Sequence, residues 1–151
     1  MPRFEVLIPD FKGNRDALKT VLTAKPDVLN HNIETVAYLY SRVRPEAIYE
    51  RSLSLLQTVK SMDPAMPVKS GIMVGLGETL EELEQTLRDL FSHGCNSQYL
   101  QPSPNHLRVE NYYSPEAFEA LEKTALKIGF QKIAAGPFVR ISYQAHELSG
   151  L

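Results

Sequence analysis

Two short runs of this chain concentrate the groups that could do chemistry. Asn30-His31-Asn32-Ile33-Glu34-Thr35 packs four hydrogen-bonding side chains and a carboxylate into six residues. Such a set can read the amino, carboxylate and hydroxyl groups of a small polar ligand. The same run could equally open a helix, with Asn32 as cap and Glu34 favouring the positive end of the dipole. Gly71-Ile72-Met73-Val74-Gly75-Leu76-Gly77-Glu78 ends a strand-like stretch and leads into a helix-like one. Glycine lets a backbone approach a ligand closely. A helix N-terminus offers amide donors to carboxylate, phosphate or ribose oxygens. A tight turn needing glycine for geometry alone would leave the same pattern. On the residues alone both alternatives stay open.

Two further segments are weaker as chemistry. Gln98-Tyr99-Leu100-Gln101-Pro102-Ser103, followed by His106-Leu107, reads as a proline-containing loop with Tyr99 and Leu100 as packing residues. Arg140-Ile141-Ser142-Tyr143 reads, taken alone, as an exposed tail. His31 has no second histidine at metal-ligand spacing, so no metal is assigned to it. The single cysteine, Cys95, excludes an internal disulfide and any multi-cysteine metal site made by this chain alone. Its type and position suit a small half-buried residue after a helix.

The elements that must position these runs alternate between strand-like and helix-like. Phe4–Ile8 reads as a strand stopped by Pro9-Asp10. Asn14 can cap a helix carrying Ala17, Leu18, Val21 and Leu22. Val28-Leu29 is a short apolar run. Val36, Leu39, Tyr40 and Val43 recur as one helical face, stopped by Pro45. Leu53, Leu56 and Val59 mark the next helix, ended by Asp63-Pro64. Lys69–Val74 reads as a buried strand. Thr79 with Glu82 forms a capping-box pattern for a helix bearing Leu83, Leu87 and Leu90 and ending at Gly94. Gln98–Tyr113 reads as one long irregular segment. Ser114-Pro115 opens the last helix, which Gly129 closes, and Lys132–Ala135 reads as a final strand. Strands alternating with helices imply a parallel sheet of βα units.

Pro9-Asp10, Asn30-His31-Asn32 and Gly75–Glu78 each follow a strand directly. In (β/α) barrels the active site is built at the carboxyl ends of the strands, so these clusters predict one shared rim. Four or five strands are too few for a closed eight-stranded barrel. The expected fold is α/β: a partial, open TIM-type barrel forming one incomplete domain over residues 1–151, with 136–151 a tail. A chain of 151 residues can bury a core of its own. Its 43% hydrophobic and 23% charged content is that of a globular domain. Net charge −2 gives no basic footprint for nucleic acid. No apolar run reaches the roughly 20 residues of a membrane span, and no signal architecture opens the chain. The expected location is cytoplasmic. An open half-barrel leaves an unpaired edge and apolar surface, so self-association through that face is expected.

The four quoted motifs, in this order and spanning about Phe4 to Glu147, resemble the C-terminal part of lipoyl synthase, a radical S-adenosylmethionine enzyme. The resemblance implies the C-terminal half of a radical SAM barrel. It implies S-adenosylmethionine contacts at Asn30, Asn32, Glu34, Lys69, Gly71, Gly75, Gly77 and Glu78. Ser142 aligns with the serine that ligates an iron of the family's auxiliary 4Fe–4S cluster. The family inserts sulfur at C6 and C8 of octanoyl groups on a lipoyl carrier domain or H protein, in lipoate biosynthesis. It uses two 4Fe–4S clusters and an electron donor such as ferredoxin or flavodoxin. One cluster, held by a C-x3-C-x2-C motif, cleaves S-adenosylmethionine, and the other donates sulfur. All six cysteines that hold the clusters would align upstream of Met1. The chain is therefore expected to be a truncated form, inactive alone, or else a non-catalytic fragment that binds the octanoylated carrier or a separate N-terminal half. Only Cys95-Asn96-Ser97 stands where the family carries a short apolar strand. Either a strand is missing there or Gln98–Leu100 takes its place.

Overall fold

The computed structural model describes residues 3–102, 109–137 and 139. Five strands form one sheet: β1 (Glu5–Leu7), β2 (Val28–Asn30), β3 (Val68–Val74), β4 (Ser97–Pro102) and β5 (Lys132–Ala135). They lie side by side in chain order, and every pairing is parallel. Each crossover carries helix: α1 (Arg15–Thr23) between β1 and β2, α2 (Tyr40–Val43) and α3 (Tyr49–Met62) between β2 and β3, α4 (Leu80–Ser92) before β4, and α5 (Pro115–Ile128) before β5. This sequential βα order is that of a barrel unrolled at one seam, so the open, partial barrel expected from the sequence is the observed architecture.

Local chemistry starts the helices where the sequence places their caps. Asn14 accepts from the Ala17 amide at 3.1 Å. Thr79 and Glu82 form the reciprocal capping box, and Ser114 caps α5 with Pro115 in its first turn. Leu18, Leu56, Val59, Leu83, Leu87, Leu90, Phe118 and Ala125 then meet Leu29, Val68, Ile72 and Leu100 of the sheet in one core.

Two segments differ from expectation. The helical face over Val36–Val43 is a 3-10 turn at Ala37–Leu39 followed by the single turn of α2. Pro45 follows too soon for a longer helix. No strand is missing after α4. The Asn96 amide bonds to Val68 O at 3.1 Å and Asn96 Oδ1 accepts from the Val68 amide at 2.9 Å. Pairing with β3 therefore begins at once, and β4 runs on through Gln98–Leu100 to Pro102. Residues expected to start an irregular segment are thus ladder-paired.

The pleat sends alternate side chains to opposite faces. Leu29, Val68, Ile72 and Leu100 face the helices. Register places Glu5, Leu7, Asn30, Lys69, Gly71, Met73, Tyr99, Gln101 and Ala134 on the other face, the inside of the barrel wall. At the open edge, Phe4 O and Ile8 N bond to the β2 side. By alternation the Glu5 and Leu7 peptide groups face outward, unpaired by any described strand. Phe4 and Leu7 are 64% and 56% exposed there.

Candidate functional site

Parallel strands bring all the carboxyl ends to one rim, and the sequence-expected clusters meet there. Beyond Asn30, β2 does not stop at its named end. The chain bulges through His31–Ile33, then rejoins β3: the Glu34 amide bonds to Gly71 O at 3.0 Å, and Glu34 O accepts from the Met73 amide at 2.8 Å. The rejoining needs a left-handed turn, and Glu34 has φ +73°. A non-glycine residue held there stores strain of order 1–3 kcal/mol. Its carboxylate lies half-buried, 3.6 Å from the Arg44 guanidinium. Burial pushes the Glu34 carboxyl above its ordinary range, and Arg44 and the Asn32 amide partly offset this.

His31 braces the bulge from below. Its Nδ1 meets Ile8 O at 2.9 Å and its Nε2 meets Ser52 Oγ at 2.9 Å. A carbonyl can only accept, so Nδ1 carries the proton and Nε2 accepts from the serine. Burial lowers the His31 pKa, in keeping with this neutral form. Tyr40 donates to Ile33 O from the other side. Tyr40 is itself pushed up to about 12 by burial. His31 is thus a structural tie between β1, the bulge and α3, and Asp10 beyond it pairs with Arg51 at 2.7 Å.

The glycine-rich turn is closed by its own glutamate. Glu78 Oε1 accepts from the Gly75 amide at 2.6 Å and Oε2 from the Leu76 amide at 2.9 Å. Gly75 O accepts the Glu110 and Asn111 amides at 2.7 and 3.2 Å, and Arg42 donates to Leu76 O. Gly75 has φ +96°, and a Cβ there would meet Asn111 O at 2.3 Å. Two amides expected to meet a ligand are therefore engaged internally. What Gly77 contributes is conformation: its φ of +108° is one that a side chain rarely tolerates, whereas a Cβ there would make only ordinary contacts with Arg42 and Glu110 at 3.4 and 3.6 Å.

Below the rim, Lys69 is fully buried on the inner face. Its Nζ pairs with Glu5 at 2.9 Å and stands 5.3 Å from the Tyr99 ring centroid. Asn30 Nδ2 donates to the same Glu5 carboxylate at 3.1 Å. Asn30 and Lys69 are thus one layer beneath Asn32 and Glu34, holding Glu5. Gly71 makes room for Tyr99, whose ring would lie 2.1 Å from any added Cβ. Asn30 Oδ1 and Gln101 Oε1 are buried acceptors without a partner among the described residues. Two such orphans on the inner wall fit a ligand carrying hydrogen-bond donors, as an ammonium or ribose does.

Sequence reasoning missed Glu5, Arg42, Arg44 and Tyr99. The one signal for Tyr99 was a large residue in register with a glycine, which only strand pairing makes visible. Ser142 and the Arg140–Tyr143 motif lie outside the described residues, as do Ser103, His106 and Leu107.

The thiol needed for iron–sulfur chemistry is absent from the rim. Cys95 is buried beneath the sheet, its Sγ directed to Ser97 O at 3.1 Å, and burial pushes the thiol up to about 12. Clusters are held by several thiolates, so the described residues do not fit one. No metal-holding group of three or more His, Cys, Asp or Glu occurs among the described residues, and no described helix is long and apolar enough to cross a membrane.

A half-wall of parallel strands with its polar groups at the carboxyl rim agrees with what the chain's relatives are. The radical SAM superfamily domain matches residues 1–90, and the chain belongs to that superfamily. The relatives it is similar to are lipoyl synthases. It is 54% identical to that of Rubrobacter xylanophilus over 147 residues, 95% of this chain and 46% of the relative. It is 54% identical to that of Caldanaerobacter subterraneus over 145 residues, 93% of this chain and 51% of the relative. The lipoyl synthase of Alkaliphilus metalliredigens is 52% identical over 147 residues. The chain spans about half the length of the curated relatives it matches.

Proposed function

We propose that this chain supplies the C-terminal wall of a lipoyl synthase: part of an S-adenosylmethionine pocket that works only when a cysteine-bearing half completes it. The carrying observation is the rim itself. Asn32 and Glu34 stand at the carboxyl end of β2, beside the prebuilt Gly75–Glu78 turn. Two orphaned acceptors, Asn30 Oδ1 and Gln101 Oε1, line the wall below.

In this reading Glu34 and Asn32 bind the cofactor's hydroxyl and ammonium donors, while Gly71 and Gly75 shape the wall by seating the Tyr99 ring and Asn111 O, and Gly77 sets the backbone of the turn. Asn30 and Lys69 hold Glu5 and so set the depth of the pocket. Glu78 shapes the turn. Held by these residues, S-adenosylmethionine would supply the radical chemistry needed to take hydrogen from an unactivated carbon. The residues described do not hold the cluster that would deliver the electron. Sulfur insertion at C6 and C8 of a carrier-bound octanoyl group would belong to the completed enzyme. Ser142 is the residue proposed to meet its auxiliary cluster.

The open edge of β1 favours a second, compatible reading. Exposed Phe4 and Leu7 beside unpaired peptide groups suit a binding role, in which the chain pairs with a separate N-terminal half or with itself.

Mixing the purified chain with the cysteine-bearing half of a lipoyl synthase, reconstituted anaerobically, tests the proposal. 5′-Deoxyadenosine and dithiolated octanoyl peptide should form in the mixture and not with either part alone. Turnover by this chain alone would overturn the inactivity claim. Full turnover in a mixture carrying Glu34→Ala and Asn32→Ala would overturn the site.

A further inference from the structure

We propose that Tyr99 is a positioning residue of the rim, locking the Asn32 side-chain amide in the orientation that serves Glu34. The proposal rests on the cofactor-pocket reading for its functional meaning, but its geometry stands apart from it. Tyr99 leaves β4 opposite Gly71 of β3. With no Cβ at Gly71, the ring occupies the space beside it on β3, and its hydroxyl donates to Asn32 Oδ1 beyond the end of β2. One side chain thus spans three strands.

The orientation follows from donor and acceptor identity. Burial pushes the Tyr99 phenol up, so it stays protonated and donates. With Oδ1 engaged by the Tyr99 hydroxyl, the Asn32 amide hydrogens are left free to serve Glu34, in keeping with Asn32 acting to lower that carboxyl against the upward push of burial. The flipped amide would set its carbonyl against that carboxylate, an acceptor facing an acceptor. The Glu34 backbone is held in place, its amide bonded to Gly71 O and its carbonyl to the Met73 amide of β3. The residue that seats Tyr99 therefore also anchors Glu34.

The ring has a second consequence. It sits one layer above Lys69, whose ammonium is 5.3 Å from its centroid, and one layer below Gln101 in the register of β4. Tyr99 thus packs between the Glu5–Lys69 ion pair and the rim.

The test reads the Glu34 titration by carbon-detected NMR in the full chain. The groups facing Glu34 are Arg44 after α2, Tyr40 of α2, Asn32 of the bulge and Tyr99 of β4. Tyr99→Phe keeps the ring over Gly71 and removes only the hydroxyl. Its midpoint for Glu34 should rise by about half a pH unit or more, the size of a modest hydrogen bond. Asn32→Ala should give a similar rise, and the double variant no further one, because the hydroxyl acts only through the amide. A merely structural role for Tyr99 would lower melting temperature without moving this midpoint. An unchanged midpoint in folded Tyr99→Phe overturns the proposal. If that variant does not fold, an unchanged midpoint in Asn32→Ala overturns it instead, and additive shifts in the double variant do so as well. Calorimetry with S-adenosylmethionine on the chain completed by a cysteine-bearing half forms the separate arm. No binding there defeats the pocket reading while the titration still decides the lock.

Discussion

Gly71→Ala isolates the contact on which the inner wall depends. The backbone at Gly71 is not in the left-handed region, so alanine is conformationally allowed and the entire effect is steric. The new Cβ would lie 2.1 Å from Tyr99 Cζ and 2.4 Å from both Cε2 and Oη, where carbon contacts normally settle near 3.5–4.0 Å. The ring must shift by well over an ångström. It is pinned by the β4 ladder at one end and by Asn32 at the other. Overpacking of this kind costs about 1–3 kcal/mol. Losing the hydroxyl's bond adds about 0.5–1.5 kcal/mol, and removing glycine's unfolded-state freedom returns about 0.4–1 kcal/mol. A net loss of about 1–3 kcal/mol is expected. With a urea slope of about 1–3 kcal/mol/M, the midpoint should fall by roughly 1 M. Equilibrium unfolding followed by far-UV circular dichroism reads it. The control is the same substitution in a Tyr99→Leu background, which lacks the atoms in conflict. There Gly71→Ala should be neutral or slightly stabilising. An equal penalty in both backgrounds would place the clash somewhere other than the Tyr99 ring.

Cys95, buried with its thiol pushed up to about 12, should resist iodoacetamide at pH 8 in the native chain and react fully in urea. Rapid alkylation of the folded protein, followed by mass spectrometry, would contradict its placement. His31 has a lowered pKa in the fold, so the unfolded chain binds its proton first. The stability due to its neutral form is complete above the unfolded value of about 6.5 and is lost as pH falls toward the folded pKa. Urea midpoints measured from pH 7.5 to 5.5 should therefore decline more steeply in the wild type than in His31→Asn, and equal slopes would count against the buried neutral imidazole.

The alternation of elements was legible because each boundary has a local cause. Asn14, Thr79 and Ser114 are caps wherever they are read, and Asp63-Pro64 ends a helix by removing a donor. The rim was legible too, since parallel βα order puts every strand's carboxyl end on one side. What escaped was anything dependent on register. Gly75–Glu78 has the composition of a ligand-binding turn, but only three dimensions show the Glu78 carboxylate folding back onto two of its amides. Lys69 is the one charge in its strand, and nothing local names Glu5, 64 residues earlier, as its partner. Strand β4 was obscured for a similar reason. Its pairing with β3 begins through the Asn96 side chain, a non-local bond that no window of residues contains.

The closed hydrogen-bonding of the glycine turn has a thermodynamic corollary. A segment already ordered by Glu78, Arg42 and the Glu110–Asn111 backbone has little freedom left to surrender when a guest arrives. Flexible loops charge part of their contact energy against ordering, whereas this wall would recognise by contour, favouring a rigid, flat group over a pliable one. Substitution of Glu78 would then weaken association by loosening the wall, without removing any direct contact to the guest.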